Sequence, residues 1–155
     1  MSIVVSGIGH SITRYPPSKG RSGVIVLALS ETGVRNVLLV DDEGSICDVI
    51  RDIIKSLAPG EVDLICVHSD TAAYRAFAEG QFFDSILVDT NLGRGRTSYD
   101  VARRARSLRP DAKVVFISGQ IDERSAAELA VPGSTFLQKP FTSEQLFIAL
   151  GLKAP

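Results

Sequence analysis

The sequence lacks the cysteines of a disulfide-rich or zinc-binding protein and the apolar runs of a membrane protein. Its two cysteines, Cys47 and Cys66, lie inside apolar patterns without metal-ligand spacing. We therefore expect two buried, reduced thiols in a cytoplasmic protein. No apolar run approaches the roughly 20 residues that a membrane span needs. The six apolar residues 24–29 are too few, and too far from the start of the chain, for a signal peptide.

An excess of one charge is also missing, because the 155 residues carry a net charge of −1 at pH 7. The whole chain therefore gives no reason to expect binding to nucleic acid or to a membrane surface. The charge is unevenly distributed, however. Residues 1–35 hold four basic and one acidic side chain, 4 − 1 = +3, so the remaining residues carry −1 − 3 = −4.

Residues 1–35 differ in composition from the rest of the chain. The stretch RYPPSKGRSG (14–23) combines proline, glycine and charge, which is typical of a linker. The stretch VIVLALS (24–30) would also fit an extra strand on a sheet edge. We predict a flexible N-terminal extension over residues 1–35 and a single domain over residues 36–152, with no output domain attached.

From residue 36 onward, short apolar runs alternate with segments of helical period. The runs lack polar alternation, which is typical of strands covered on both faces. They cover residues 37–40, 62–67, 85–88, 114–117 and 135–137. Five helices are predicted between and after them, and right-handed crossovers make the sheet parallel. The sequence thus predicts an α/β fold, a doubly wound (βα)5 unit of the flavodoxin type with strand order 2-1-3-4-5.

The helices are predicted from apolar spacing and from signals at their ends. The first carries an apolar stripe before Pro59-Gly60, formed by Ile46, Val49, Ile50, Ile53, Ile54 and Leu57. The second runs from Asp70, a candidate N-cap, to Gly80. The third and fourth cover about 98–108 and 122–130. The last begins at Thr142, which forms a capping box with Gln145, and ends at Gly151.

Polar residues follow the strands at the edge where a doubly wound sheet binds its ligands. The first strand is followed by Asp41 and Asp42, and the third by Asp89. In the predicted strand order these acids converge. Carboxylates held this close raise one another's pKa unless a cation intervenes, and all-oxygen ligation suits Mg²⁺.

Lys139 and Ser118 follow the fifth and fourth strands and add an ammonium group and a hydroxyl at the same edge. A metal ion, an ammonium and a hydroxyl together suit a tetrahedral dianion such as a phosphoryl group. An isolated aspartate can attack phosphorus and form an acyl phosphate. We therefore assign Asp89 as the nucleophile and the pair Asp41–Asp42 as metal binders.

Four motifs together resemble the receiver domain of two-component response regulators. They are LLVDD (38–42), ILVDTNL (86–92), VFISGQ (115–120) and FLQKPF (136–141). Their order and spacing make the resemblance specific, and it covers about residues 36–152. Since the sequence leaves no room for a second module, the resemblance is to the stand-alone type.

The resemblance implies a role for each matching residue. Asp89 would accept a phosphoryl group from a phosphohistidine donor, with Ser118 and Lys139 contacting the phosphoryl oxygens. Mg²⁺ or Mn²⁺ would be held by Asp41, Asp42, Asp89 and the backbone carbonyl of Asn91. Ser118 and Phe136 would form the switch, Asn91 and Gln120 would tune the phosphoryl lifetime, and the Lys139–Pro140 peptide would be cis.

The implied partners are a sensor histidine kinase or a histidine phosphotransfer protein, and a downstream protein. The latter would bind the surface of the fourth helix, fifth strand and fifth helix, whereas nucleic acid and membrane are not implied as partners. The domain would signal from the cytoplasm and would not be an enzyme beyond its own phosphotransfer and autodephosphorylation. Effector, phosphate-sink and relay roles all stay open.

The sequence departs from the family pattern between Gly93 and Thr97, where many relatives have a proline and then a glycine. We therefore expect the third helix to begin up to one turn later than in those relatives. We interpret Arg94 and Arg96 as solvated loop charges, the alternative being recognition of an acidic partner.

Two alternative functions compete with that of a receiver. A pseudo-receiver would bind partners without phosphorylation, and the unusual loop is its only support. A phosphatase of the haloacid-dehalogenase type would need Asp-x-Asp after the first strand, where this chain has Glu43. The complete set of acids, hydroxyl and lysine favours the receiver over both.

Overall fold

In the computed structural model, which describes residues 33–92, 97–120 and 131–153, five strands form one parallel sheet. The strands are β1 (Arg35–Val40), β2 (Val62–Val67), β3 (Ser85–Asp89), β4 (Lys113–Ser118) and β5 (Thr135–Gln138). Their order is β2-β1-β3-β4-β5, with every pairing parallel. The predicted fold class and strand order are confirmed. The order places the ends of β1 and β3 side by side.

Four helices cover the two faces of this sheet within the described ranges. They are α1 (Gly44–Leu57), α2 (Asp70–Ala78), α3 (Thr97–Leu108) and α4 (Ser143–Leu150). The predicted helix over 122–130 and residues 1–32 of the predicted extension lie outside the described residues. None of the described helices is long and apolar enough to cross a membrane.

The central strands are buried on both faces, which explains their uninterrupted apolar sequences. In β1, Leu38 and Val40 face one core together with residues of α2 and α3. Val37 and Leu39 face the other core, with residues of α1 and α4. Each central strand therefore contributes side chains to both cores, and the polar residues at its end lie at the edge of the sheet.

The apolar stripe predicted for α1 is wider than the side that the helix buries. Cys47, Ile50 and Ile54 are buried, whereas Val49 is 51% exposed and Leu57 is 39% exposed. At 100° per residue, Val49 lies beyond the arc that contacts the sheet, and Leu57 is the last residue of the helix. Both residues belong to the predicted stripe, but neither side chain is buried.

The helix ends confirm one predicted cap and correct another. Thr142 and Gln145 form the predicted capping box, with Gln145 N donating to Thr142 Oγ1 over 3.2 Å and Thr142 N to Gln145 Oε1 over 2.8 Å. The N-cap of α2 is Ser69 instead of Asp70, because Ser69 Oγ accepts from Ala72 N at 3.1 Å. Serine and aspartate cap equally well, so the sequence alone does not separate neighbours of this kind.

The two cysteines form a disulfide that joins α1 to β2, contrary to the predicted pair of free thiols. Cys47 and Cys66 are 19 residues apart in sequence, with their Cα atoms separated by 6.2 Å. Both belong to the core on the α1 face of the sheet. Their contact depends on α1 lying over β2, which the spacing of two cysteines along a chain does not reveal.

Candidate functional site

Three of the predicted site residues meet at the carboxyl ends of the strands. Asp41 follows β1 and is 1% exposed, and Asp89 ends β3 and is 2% exposed. Lys139, the residue after β5, lies between them. Its Nζ is 3.1 Å from Asp41 Oδ2 and 3.4 Å from Asp89 Oδ2. Residues almost a hundred positions apart therefore surround one point, and a single ammonium is shared by two buried carboxylates.

Asp42 adds a third, exposed carboxylate to this group. One oxygen from each of Asp41, Asp42 and Asp89 lies within 4.8 Å of the others. The acids outnumber the ammonium of Lys139 by two, so a divalent cation would balance the four side chains when they are ionised. Since all the donors are oxygens, the set fits a hard cation such as Mg²⁺ or Mn²⁺.

Asp41 is held by hydrogen bonds from both neighbouring segments. Its Oδ1 accepts from Glu43 N at 2.8 Å, and its backbone N donates to Val67 O over 3.1 Å. His68 Nδ1 lies 3.0 Å from the carbonyl oxygen of Asp41. Because a carbonyl oxygen only accepts, Nδ1 carries the proton. His68 was not predicted to belong to the site, although its position after β2 was a usable signal.

Asp89 is fixed by a turn that also carries Asn91. Asn91 N donates to Asp89 Oδ1 over 3.1 Å, so the backbone of Asn91 stays beside the carboxylate. The carbonyl oxygen of Asp89 accepts from Leu92 N at 3.4 Å and from the hydroxyl of Ser98 at 2.6 Å. Ser98 is fully buried and was not found from the sequence, because a serine near the start of a helix has no distinctive pattern.

Ser118 is the last residue of β4, and Phe136 is the second residue of β5. The Ser118 hydroxyl donates to the carbonyl oxygen of Gln120 and accepts from Gln120 N at 3.2 Å. Phe136 is partly buried and stacks on Phe116, with ring centroids 5.2 Å apart. The switch and lifetime roles assigned to Ser118, Phe136 and Gln120 stay predictions.

The path of the chain brings Lys139 to the acids. Lys139 N donates to Ser118 O over 2.8 Å, which continues the pairing of β5 with β4 by one residue. The following Lys139–Pro140 peptide is cis, as the family resemblance implies. Residues 93–96 and the side chain of Thr97, where the sequence departs from the family pattern, lie outside the description.

The pKa values of Asp41 and Lys139 are both raised, but by different causes. Burial raises the pKa of the Asp41 carboxyl, and the Glu43 amide and the Lys139 ammonium only partly oppose the shift. For Lys139, burial lowers the pKa, but the hydrogen bond and charge of Asp41, followed by those of Asp89, raise it by more. Lys139 is therefore a cation at neutral pH, and the two carboxylates stabilise its charge.

The sequence profile of the response regulator receiver domain matches residues 37–151. This match agrees with the doubly wound sheet of the structure. It also agrees with the three acids and the lysine at the carboxyl edge of that sheet. The chain belongs to the response regulator receiver domain family. A comparison with curated protein sequences found no match.

Several solved structures are similar to this chain. A response regulator receiver protein from Sinorhizobium medicae WSM419 is 30% identical, with a TM-score of 0.64 and coverage of 76% of this chain and 92% of that one. A receiver domain protein from Clostridium thermocellum shares the fold at 23% identity, with a TM-score of 0.65 and the same coverage of 76% and 92%. A response regulator from Burkholderia pseudomallei, containing a phosphorylated aspartic acid, a calcium ion and citrate, is 24% identical, with a TM-score of 0.61 and coverage of 75% and 66%.

Proposed function

We propose that this chain is a receiver that accepts a phosphoryl group on Asp89 from a phosphohistidine donor. The observation that carries the proposal is the position of Lys139, whose ammonium contacts both Asp41 and Asp89. A buried carboxylate beside a fixed ammonium is suited to attack a phosphoryl group, because the ammonium stabilises the charge on the phosphoryl oxygens during transfer.

The transfer step follows from the chemistry of the two reacting groups. A carboxylate oxygen of Asp89 attacks phosphorus, and the bond between phosphorus and the donor imidazole nitrogen breaks. The electron pair of that bond stays on the imidazole, which takes up a proton, and an acyl phosphate is formed on Asp89. Lys139 remains charged throughout and holds one phosphoryl oxygen, while the Ser118 hydroxyl turns from Gln120 to bind another.

The proposal includes a metal site for Mg²⁺ or Mn²⁺. Asp41, Asp42, Asp89 and the carbonyl of Asn91 would hold the ion, with Asp41 acting through water. The bound ion would offset negative charge on the phosphoryl oxygens. The relative from Burkholderia pseudomallei supports both parts of the proposal, since it contains a phosphorylated aspartic acid and a calcium ion.

Signalling would follow from a change in the surface around β5 and α4. Phe136, Ile148 and Ala149 line one groove on this surface, and Ile148 is 63% exposed. Movement of Ser118 toward the phosphoryl group would free space for Phe136 and alter the groove. Moving a two-state equilibrium from 1:99 to 99:1 takes about 5.5 kcal/mol of differential stabilisation.

The proposed partners are proteins of the same signalling class. A sensor histidine kinase or a histidine phosphotransfer protein would supply the phosphoryl group in the cytoplasm. A downstream protein would bind the groove of β5 and α4 together with the predicted helix over 122–130. Asn91 and Gln120 would set how long the acyl phosphate lasts before it hydrolyses.

Phosphorylation is tested by intact mass after incubation with acetyl phosphate and Mg²⁺. The wild type should gain about 80 Da, one phosphoryl group per chain, and the Asp89→Asn variant should gain nothing. A matched control is Asp84→Asn, which changes an aspartate at the opposite edge of the sheet and should still be labelled. An unlabelled wild type would favour the pseudo-receiver, which binds its partners without phosphorylation.

A further inference from the structure

The backbone carbonyl of Asp89 has an unusual position among the strand ends of the site. The pairing of β3 with β1 ends at Val88 and Val40. On the β4 side, Thr90 N donates to Ile117 O over 2.8 Å. The carbonyl of Asp89 and the N–H of Thr90 belong to one planar trans peptide and point in opposite directions. The carbonyl therefore points away from β4, just beyond the last residue pair of β3 and β1.

Ser98 supplies the close partner that this carbonyl needs. Its hydroxyl donates to Asp89 O over 2.6 Å, whereas Leu92 N is 3.4 Å from the same oxygen. Ser98 is 0% exposed, so water is kept from its hydroxyl. A buried carbonyl that loses a close donor is destabilised, and the backbone around it relaxes toward other partners.

The two hydrogen bonds fix the Asp89–Thr90 peptide from opposite sides. Ile117 holds its N–H end and Ser98 holds its carbonyl end. The orientation of this peptide sets the direction in which the chain leaves β3, and with it the turn in which Asn91 N contacts Asp89 Oδ1. That turn carries two of the proposed metal ligands, the Asp89 carboxylate and the Asn91 carbonyl.

We propose that Ser98 is a positioning residue for Asp89, with its hydroxyl orienting the peptide that presents the Asp89 carboxylate and the Asn91 carbonyl. The inference rests on the proposed function of the site. Ser98 touches neither the metal nor the phosphoryl group, and it acts through the backbone. It also anchors the first turn of α3 to the end of β3, directly after the Gly93–Thr97 stretch that departs from the family pattern.

The test compares the Ser98→Ala variant with wild type in two measurements. The first is an NMR titration with MgCl₂, followed at the Asn91 amide. The Mg²⁺ dissociation constant should rise roughly three- to tenfold, because the loss of one buried hydrogen bond costs a free energy of that size. At saturating Mg²⁺, the rate of labelling by acetyl phosphate should stay within about twofold, because bound metal then holds the turn in place. A lower thermal midpoint with an unchanged dissociation constant would overturn the inference.

Conservative and matched variants separate positioning from packing. Ser98→Thr keeps the hydroxyl and should restore the dissociation constant to within about twofold of wild type. Ser107→Ala removes an exposed hydroxyl from the same helix, one that donates to Arg104 O over 2.8 Å, and should change neither measurement. Should Ser98→Ala fail to fold, Ser98→Cys replaces it, because a thiol of similar size is a weak donor and should show the same loss.

The failure of this inference is distinguishable from the failure of the proposed function. If wild type does not bind Mg²⁺, the proposed metal site is wrong and the inference falls with it. If wild type binds Mg²⁺ and is not labelled, the phosphorylation proposal fails, while the titration still decides the role of Ser98. If wild type and Ser98→Ala bind Mg²⁺ equally, only the role of Ser98 is rejected.

Discussion

The two edges of the sheet use acidic and basic side chains for different purposes. At the amino edge, Asp84 is paired with Arg109, with Oδ1 2.7 Å from Arg109 Nη2 and Oδ2 accepting from Asn36 N at 2.7 Å. At the carboxyl edge, Asp41 and Asp89 share the single ammonium of Lys139. Arg109 also lies 3.3 Å from Asp111, but that acid is 57% exposed and its charge is screened by solvent. The acids that share Lys139 are buried, and an excess of buried acid is costly without a further cation. The carboxyl edge is therefore suited to a cationic ligand, whereas the ion pairs of the amino edge hold the fold together.

The largest effect that we expect comes from removing the shared ammonium. Lys139→Ala should slow labelling of Asp89 by acetyl phosphate about 10²- to 10³-fold, because the charge on the phosphoryl oxygens loses its fixed partner. The initial rate of mass gain at saturating Mg²⁺ measures this. Arg109→Ala, the equivalent change at the amino edge, should leave the rate unchanged. Equal losses in both variants would show that the two edges do not differ in purpose.

The next largest effect is expected from breaking the disulfide, which lies beside the carboxyl edge. Reducing the Cys47–Cys66 disulfide, which closes a loop of 19 residues, should lower the free energy of unfolding by about 3 kcal/mol. Urea unfolding with and without a thiol reductant measures the difference. The double variant Cys47→Ala, Cys66→Ala should be insensitive to reductant. If wild type is equally insensitive, the tie between α1 and β2 is not covalent in solution.

Changing one acid at each edge should give effects of opposite sign. In metal-free protein, Asp89→Asn should raise the free energy of unfolding by about 1 kcal/mol, because it removes one of two like charges around Lys139. Asp84→Asn should lower it by about 1 kcal/mol, because the ion pair with Arg109 is lost from a partly exposed site. Urea unfolding in the presence of a chelator measures both. A lower free energy of unfolding in Asp89→Asn would contradict the idea that repulsion between the acids destabilises the metal-free protein.

The smallest effect on stability is expected on the proposed partner surface. Ile148→Ser should change the free energy of unfolding by less than about 0.5 kcal/mol, because the side chain is 63% exposed. Leu146→Ala, in the same helix but fully buried, should cost about 2–5 kcal/mol. Thermal unfolding of the two variants measures the contrast. A large loss of stability in Ile148→Ser would mean that this side chain supports the fold and is not available to bind a partner.

The parts of the molecule that were predictable are those with strong local patterns. The runs that became β1 and β3 are apolar throughout because both faces of the strands are covered, and the acids after them mark the strand ends. The convergence of Asp41, Asp89 and Lys139 followed from the strand order, since neighbouring parallel strands end at the same edge. Their placement in sequence was enough to indicate a cation and phosphoryl chemistry.

The parts that were missed depend on how elements pack. Val49 fits the helical stripe, but the side of α1 that meets the sheet is narrower than the stripe. Cys47 and Cys66 meet only because α1 lies over β2. Ser98 and His68 contact backbone carbonyls of the two buried aspartates, and a hydrogen bond to a distant carbonyl has no signature in the residue types. Packing and backbone contacts are the information that local patterns lack.

The arrival of Lys139 from the last strand has a consequence for synthesis of the protein. A ribosome-bound chain that has emerged only as far as β4 already contains Asp41 and Asp89, but not the ammonium that they share. On the proposed function, such a chain is a poor phosphoryl acceptor. On the same proposal, competence to accept a phosphoryl group is delayed until the C-terminal part of the domain has docked.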